Sequence, residues 1–86
     1  MSNVEIWGKP ACPYCVRAKV LCENLQLNYE YKELGIDFDR ELIMETFPGA
    51  RTFPQIKVNG KPVGGYNEFA QYVEDHNYTG SGHSLG

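Results

Sequence analysis

The sequence predicts an α/β fold: one mixed four-stranded sheet with helices on both faces, in the order β-α-β-α-β-β-α. Three observations predict it. A short alternating apolar segment near the N-terminus is followed at once by a helical pattern. Two strand-like segments flank Asn59-Gly60, the two-residue pair that most strongly marks a hairpin. A last amphipathic segment follows Gly64-Gly65.

Residues 3–7 alternate, which puts Val4 and Ile6 on one strand face. Residues 8–11 form a loop. From 13 to about 26 the pattern turns helical, with Cys15, Ala18, Leu21, Cys22 and Leu25 on one stripe and Val16 and Val20 on a second apolar strip. Pro13 suits the first turn, where its missing N–H would be unpaired anyway. Residues 29–34 form the second strand, with Tyr29, Tyr31 and Glu33 on one face. A helix joins these two strands, so they should be parallel with a right-handed crossover. Asp39 can cap a short helix over 40–47 that carries Leu42, Ile43, Met44 and Phe47, and Pro48-Gly49 ends it. Residues 55–58 and 61–63 make the antiparallel hairpin, and Pro62 assigns its second strand to the sheet edge. The final helix runs from about 67 to 75, with Phe69, Tyr72 and Val73 inward.

The 86 residues allow one domain, placed at 1–78, and the aperiodic stretch 79–86 reads as a disordered tail. Eight basic against eleven acidic side chains argue against a nucleic-acid binder. No apolar run is long enough to span a membrane. The first residues carry no basic segment and lead into no long apolar stretch, so no secretory signal is expected and the cytoplasm is the default location. Three cysteines are too few, and odd in number, for a secreted disulfide scaffold.

Cys12-Pro13-Tyr14-Cys15 follows the first strand and opens the first helix. Cys12 then stands near a helix N-terminus, where unpaired N–H groups and the macrodipole favour an anion and lower a thiol pKa. Lys9 adds positive charge nearby. Cys15 lies one turn deeper, close enough to close a disulfide. Cys12 is thus the candidate nucleophile and Cys15 the resolving thiol. The metal alternative is half of a zinc site. Zinc usually takes four ligands, no second cysteine pair exists, and His76 and His83 are late and isolated. Cys22, on the apolar stripe, reads as a buried inert thiol; a site for glutathionylation or for a side disulfide is its alternative.

With Cys12-Pro13-Tyr14-Cys15, Thr52-Phe53-Pro54 and Gly64-Gly65 in this order, residues 3–76 resemble a glutaredoxin of the dithiol class. The first motif alone would leave thioredoxins and other disulfide oxidoreductases open. The resemblance implies a thioredoxin fold and a glutathione-dependent thiol–disulfide oxidoreductase. It would reduce protein–glutathione mixed disulfides and protein disulfides as a monomer without a metal. It implies a cis Pro54 facing the cysteines, with the Phe53 backbone pairing the cysteinyl unit of glutathione beside Thr52. Phe53 replaces the family's common valine. Gly65 would let the backbone approach the γ-glutamyl end. The helix N-terminus at Tyr66, Asn67 and Glu68 would meet the γ-glutamyl carboxylate, with Asn67 as cap and Glu68 toward the ammonium. Lys9 would meet the glycyl carboxylate and Tyr14 would line the groove. The blander readings are a Pro54 that only opens a strand, a plain helix cap, and a solvated Lys9. Two rival functions stand beside this one. An iron–sulfur carrier is one, although family members with that role usually have Gly or Ser where Pro13 stands. The other is a dedicated electron donor to an enzyme such as ribonucleotide reductase.

Overall fold

A computed structural model describes residues 3–76. Tyr78, His83, the expected tail over 79–86 and the domain boundary at 78 lie outside the described residues. The elements are β1 (Asn3–Gly8), α1 (Pro13–Asn24), β2 (Asn28–Glu33), α2 (Arg40–Thr46), β3 (Gln55–Val58), β4 (Lys61–Gly64) and α3 (Tyr66–His76). The sheet order is β2-β1-β3-β4. β1 pairs parallel with β2 and antiparallel with β3, and β4 is an edge strand, as Pro62 requires. Asn59 and Gly60 turn the hairpin at φ 52° and 83°, the two positive values that match the twist of the flanking strands.

The alternation of β1 and β3 divides the core. Val4, Ile6, Ile56 and Val58 face α1 and α3, where they pack with Ala18, Cys22, Phe69 and Val73. Trp7 faces the other way and packs with Phe38, Ile43 and Phe47 around α2. Phe69 is fully buried, so truncating it to alanine would cost about 3–5 kcal/mol. Leu42 and Met44 stay exposed on α2, as does the Val16/Val20 strip of α1. Asp39 caps α2, its Oδ1 accepting from the Leu42 N–H at 2.9 Å.

α1 ends two residues before the expected 26. Gln26 takes a left-handed φ of 56°, its N–H donates to Glu23 O at 3.2 Å, and the Leu27 N–H donates to Cys22 O at 2.9 Å. This is a Schellman termination with glutamine where glycine is usual. Leu27 is buried in the same cluster as Cys22, and that apolar contact fixes the turn. β2 starts and ends one residue earlier than expected, with Leu34 making an isolated bridge to Phe38. α3 starts at Tyr66 and not at Asn67. No helix among the described residues is long and apolar enough to cross a membrane.

Candidate active site

β1 delivers the chain to the site and a short loop turns it into α1, passing through a left-handed φ of 55° at Ala11. Cys12 is the N-cap of α1, in an extended conformation, and Pro13 occupies the first turn. The Cys15 N–H donates to Cys12 Sγ at 3.1 Å, so the sulfur takes the place a capping oxygen usually fills. The two cysteines are disulfide-bonded, with Cα atoms 5.2 Å apart. No acidic residue lies in the first turn of α1 to oppose a thiolate. Cys12 keeps 7% exposure and Cys15 none, so an incoming thiol meets Cys12.

The loop before β3 carries Thr52-Phe53-Pro54. The Phe53–Pro54 peptide bond is cis and Pro54 is buried. Gln55 Nε2 donates to the Thr52 carbonyl at 2.8 Å, holding this loop from within. Lys9 Nζ stands 5.8 Å from the Phe53 ring centroid. Tyr14 and Tyr66 approach with ring centroids 5.9 Å apart, and the Arg17 guanidinium lies 5.1 Å from the Tyr14 ring.

Two clefts border this arrangement. One, of about 430 Å³, is lined by Arg51, Thr52, Gln55, Gly64, Gly65 and Glu68. The other, of about 480 Å³, is lined by Lys9, Cys12, Val16, Lys19, Tyr31 and Glu33. The expected residues are therefore distributed: Lys9 and Cys12 border one cleft, and Thr52, Gly65 and Glu68 the other. Arg51 and Gln55 also line this cleft, and neither belongs to a motif that the sequence marks. A Cβ on Gly65 would stand 3.5 Å from the Pro54 carbonyl oxygen and 3.2 Å from Glu68 Oε1.

The cap of α3 differs from expectation. The Gly65 carbonyl accepts from the Phe69 N–H at 2.9 Å, which makes Gly65 the N-cap, and Glu68 Oε1 accepts from the Gly65 N–H at 2.7 Å. Asn67 sits inside the first turn and borders a separate cleft with Gln71 and Tyr72. Glu68 provides the reciprocal half of a capping box, which leaves Asn67 no capping role.

Cys22 is fully buried, and burial, with a smaller contribution from Glu23, pushes its thiol up to about 12. Such a thiol holds its proton at neutral pH and is a poor nucleophile. Among the described residues no group of three or more His, Cys, Asp or Glu side chains is placed to hold a metal ion.

A vicinal cysteine pair at a helix N-terminus, on a mixed four-stranded sheet whose third strand follows a cis proline, defines a thiol–disulfide oxidoreductase of the thioredoxin fold. The family model for glutaredoxin matches residues 4–63. A glutaredoxin of Haemophilus influenzae is 34% identical over 79 residues, covering 84% of this chain and 91% of that protein. The structure of reduced Escherichia coli glutaredoxin superposes with a TM-score of 0.70 at 34% identity, covering 85% of this chain and 94% of that one. A buckwheat glutaredoxin–glutathione complex superposes with a TM-score of 0.73 at 28% identity, covering 87% of this chain and 71% of that one. The chain belongs to the glutaredoxin family, and its Cys12-Pro13-Tyr14-Cys15 motif fits the dithiol class.

Proposed function

We propose that the protein is a glutathione-dependent reductase of protein–glutathione mixed disulfides and of protein disulfides. The observation that carries the reading is the asymmetry of the cysteine pair: Cys12 at the helix cap, its sulfur accepting an N–H and the residue keeping some exposure, and Cys15 fully buried. Cys12 thiolate attacks the glutathionyl sulfur of a mixed disulfide and the substrate protein leaves as a thiolate. A glutathione thiolate then attacks the sulfur of the glutathione held on Cys12. Glutathione disulfide forms and Cys12 is released as a thiolate. With a protein disulfide, Cys12 forms the mixed disulfide and Cys15 displaces the substrate, closing Cys12–Cys15. Two glutathione molecules reopen that bond.

Glutathione carries a carboxylate at each end, and this reading assigns a place to both. The glycyl carboxylate goes to Lys9, and the γ-glutamyl carboxylate to the backbone N–H groups of Tyr66 and Asn67 at the start of α3. The cysteinyl unit lies along the Phe53 backbone beside Thr52 and Pro54, with Tyr14 and Tyr66 flanking the groove. Gly65 keeps the γ-glutamyl end close to the Pro54 carbonyl. Glu68 has one oxygen on the Gly65 N–H, which leaves Oε2 for the glutathione ammonium. Arg51, in the same cleft as Gly65, is a further cation for the γ-glutamyl carboxylate. The buckwheat relative, solved as a glutathione complex, supports glutathione as the ligand. A reducing compartment such as the cytoplasm, where glutathione is abundant, suits the cycle.

The test is reduction of a glutathionylated protein with glutathione and glutathione reductase, compared with thioredoxin reductase as the only electron source. The reading expects turnover in the first and little in the second. Turnover by thioredoxin reductase alone would overturn it.

A further inference from the structure

Gly8, Tyr31 and Cys15 bring β1, β2 and α1 together beside the disulfide. A Cβ on Gly8 would run into the Tyr31 hydroxyl, lie 2.8 Å from Tyr31 Cζ and stand 3.1 Å from Cys15 Sγ. The tyrosine hydroxyl and the buried sulfur therefore face one point on β1, and only a residue without a side chain leaves them room. Among the described residues no group hydrogen-bonds the Tyr31 hydroxyl. Tyr31 also lines the cleft that reaches Cys12.

Opening the disulfide places charge on the sulfurs, and the two sites differ in how they meet it. Cys12 has the helix N-terminus and the Cys15 N–H. Cys15 is fully buried one turn deeper, where a thiolate without a donor is costly. We propose that the Tyr31 hydroxyl is the hydrogen-bond donor that receives Cys15 when it leaves the disulfide as a thiolate. The thiolate of a reductant attacks Cys12 Sγ and forms a new disulfide with it. The Cys12–Cys15 bond breaks and its electron pair stays on Cys15 Sγ. The Tyr31 O–H donates to that sulfur and keeps its own proton. Solvent then protonates Cys15 by way of the cleft.

The surroundings suit a donor. Burial raises the Tyr31 pKa and Glu33 raises it further, so the hydroxyl stays protonated at neutral pH. The charged and titratable groups around it are Lys19 of α1, 5.8 Å from the ring centroid, Glu33 of the same strand, and Lys9 and Cys12 across the cleft. The inference rests on the thiol–disulfide reading of the site and extends it to the leaving group.

Tyr31→Phe keeps the ring and removes only the donor. The disulfide form of each protein is reduced with dithiothreitol and, separately, with glutathione, and the rate is read by acid quench and mass spectrometry. A hydrogen bond to a charged sulfur should be felt as a loss of about tenfold with both reductants. In a Cys12→Ser background, ultraviolet thiolate absorbance should show the Cys15 pKa raised by about one unit when Tyr31 becomes phenylalanine. Cys22, at about 12, stays clear of that titration. In Cys15→Ser protein glutathionylated at Cys12, Cys15 is not the leaving group, and Tyr31→Phe should change the deglutathionylation rate by less than about twofold. An unchanged reduction rate with an unmoved Cys15 titration would overturn the proposal, and so would an equal loss in the Cys15→Ser background. If dithiothreitol reduces the wild type and glutathione does not, the glutathione reading fails, and the dithiothreitol comparison alone decides the role of Tyr31.

Discussion

Glu68 closes the start of its own helix on Gly65: Oε1 accepts the Gly65 N–H at 2.7 Å, three residues back along the chain. The Gly65 carbonyl accepts the first helical bond of α3, from Phe69, and Phe69 is fully buried in the main core. One side chain thus ties the proposed glutathione-facing backbone to the packing of α3. Glu68→Ala should lower stability by about 1 kcal/mol, and Glu68→Gln, whose amide oxygen can accept the same bond, by less. Urea unfolding midpoints of the two variants check this.

Glutathione recognition separates from the chemistry at Cys12 in a pair of substitutions. Lys9→Glu reverses the charge proposed for the glycyl carboxylate. Gly65→Val puts a branched side chain between the Pro54 carbonyl and Glu68, whose Oε1 would stand 3.2 Å from the new Cβ. Each should raise KM for a glutathionylated substrate by about fivefold to tenfold. The single-turnover attack of Cys12 on hydroxyethyl disulfide, which carries no glutathionyl group, should be nearly unchanged in Gly65→Val, and in Lys9→Glu, whose charge lies in the cleft of Cys12, should fall less than turnover of the glutathionylated substrate. Parallel losses on both substrates would place the damage at Cys12.

Cys22 makes a prediction about pH. Its folded pKa is raised from 9.0 to about 12, so the folded protein holds a proton that the unfolded chain releases. Stability from this group is fully present below about pH 9 and is lost as pH rises toward about 12, by up to about 1.4 kcal/mol per unit. Tyr29, which donates to Glu23 at 2.7 Å, is raised from 10.0 to about 12, but its window opens only above about pH 10 and solvent screens its contribution. Urea unfolding near about pH 8 and about pH 10 should show wild type losing more stability than Cys22→Ala across that interval. Cys22→Ser should cost about 1–3 kcal/mol at neutral pH by burying a hydroxyl, with turnover unchanged. A matching slope in Cys22→Ala would remove Cys22 as its cause.

Gln26 holds a left-handed conformation that glycine adopts without a steric penalty. Its side chain is exposed. Gln26→Gly should therefore stabilise the protein by about 1 kcal/mol, read as a higher urea midpoint with unchanged slope.

Much of the fold was legible because its signals are local. Asp39 as a cap, Asn59-Gly60 as a turn and Pro62 on an edge strand each need only their neighbours, and each stands where the residues place it. The end of α1 was not legible, because a glutamine carries no mark of a left-handed residue. What sets that turn is the burial of Leu27 beside Cys22, a contact that exists only after folding. Asn67 is a good cap by type, yet Gly65 and Glu68 form the cap in its place. The Cys12–Cys15 pair was the most legible part of the site, since its chemistry depends on spacing and on one helix terminus. The alternation of residues 29–34 places Tyr31 on one face of a strand and nothing more. Its approach to Cys15 depends on the pairing of β1 with β2 and on the seating of α1, which no local pattern carries.

The division of labour between the two active-site cysteines is the centre of this account. It is tested most directly by glutathione-coupled reduction of a glutathionylated protein, measured for Cys12→Ser and Cys15→Ser side by side. Cys12 provides the attacking sulfur, so Cys12→Ser should show no activity above background. Cys15 acts only when a protein disulfide has to be resolved. Cys15→Ser should therefore keep most of the wild-type rate on the glutathionylated substrate and lose its rate on a protein disulfide. A Cys15→Ser protein as inactive as Cys12→Ser on the glutathionylated substrate would contradict the account.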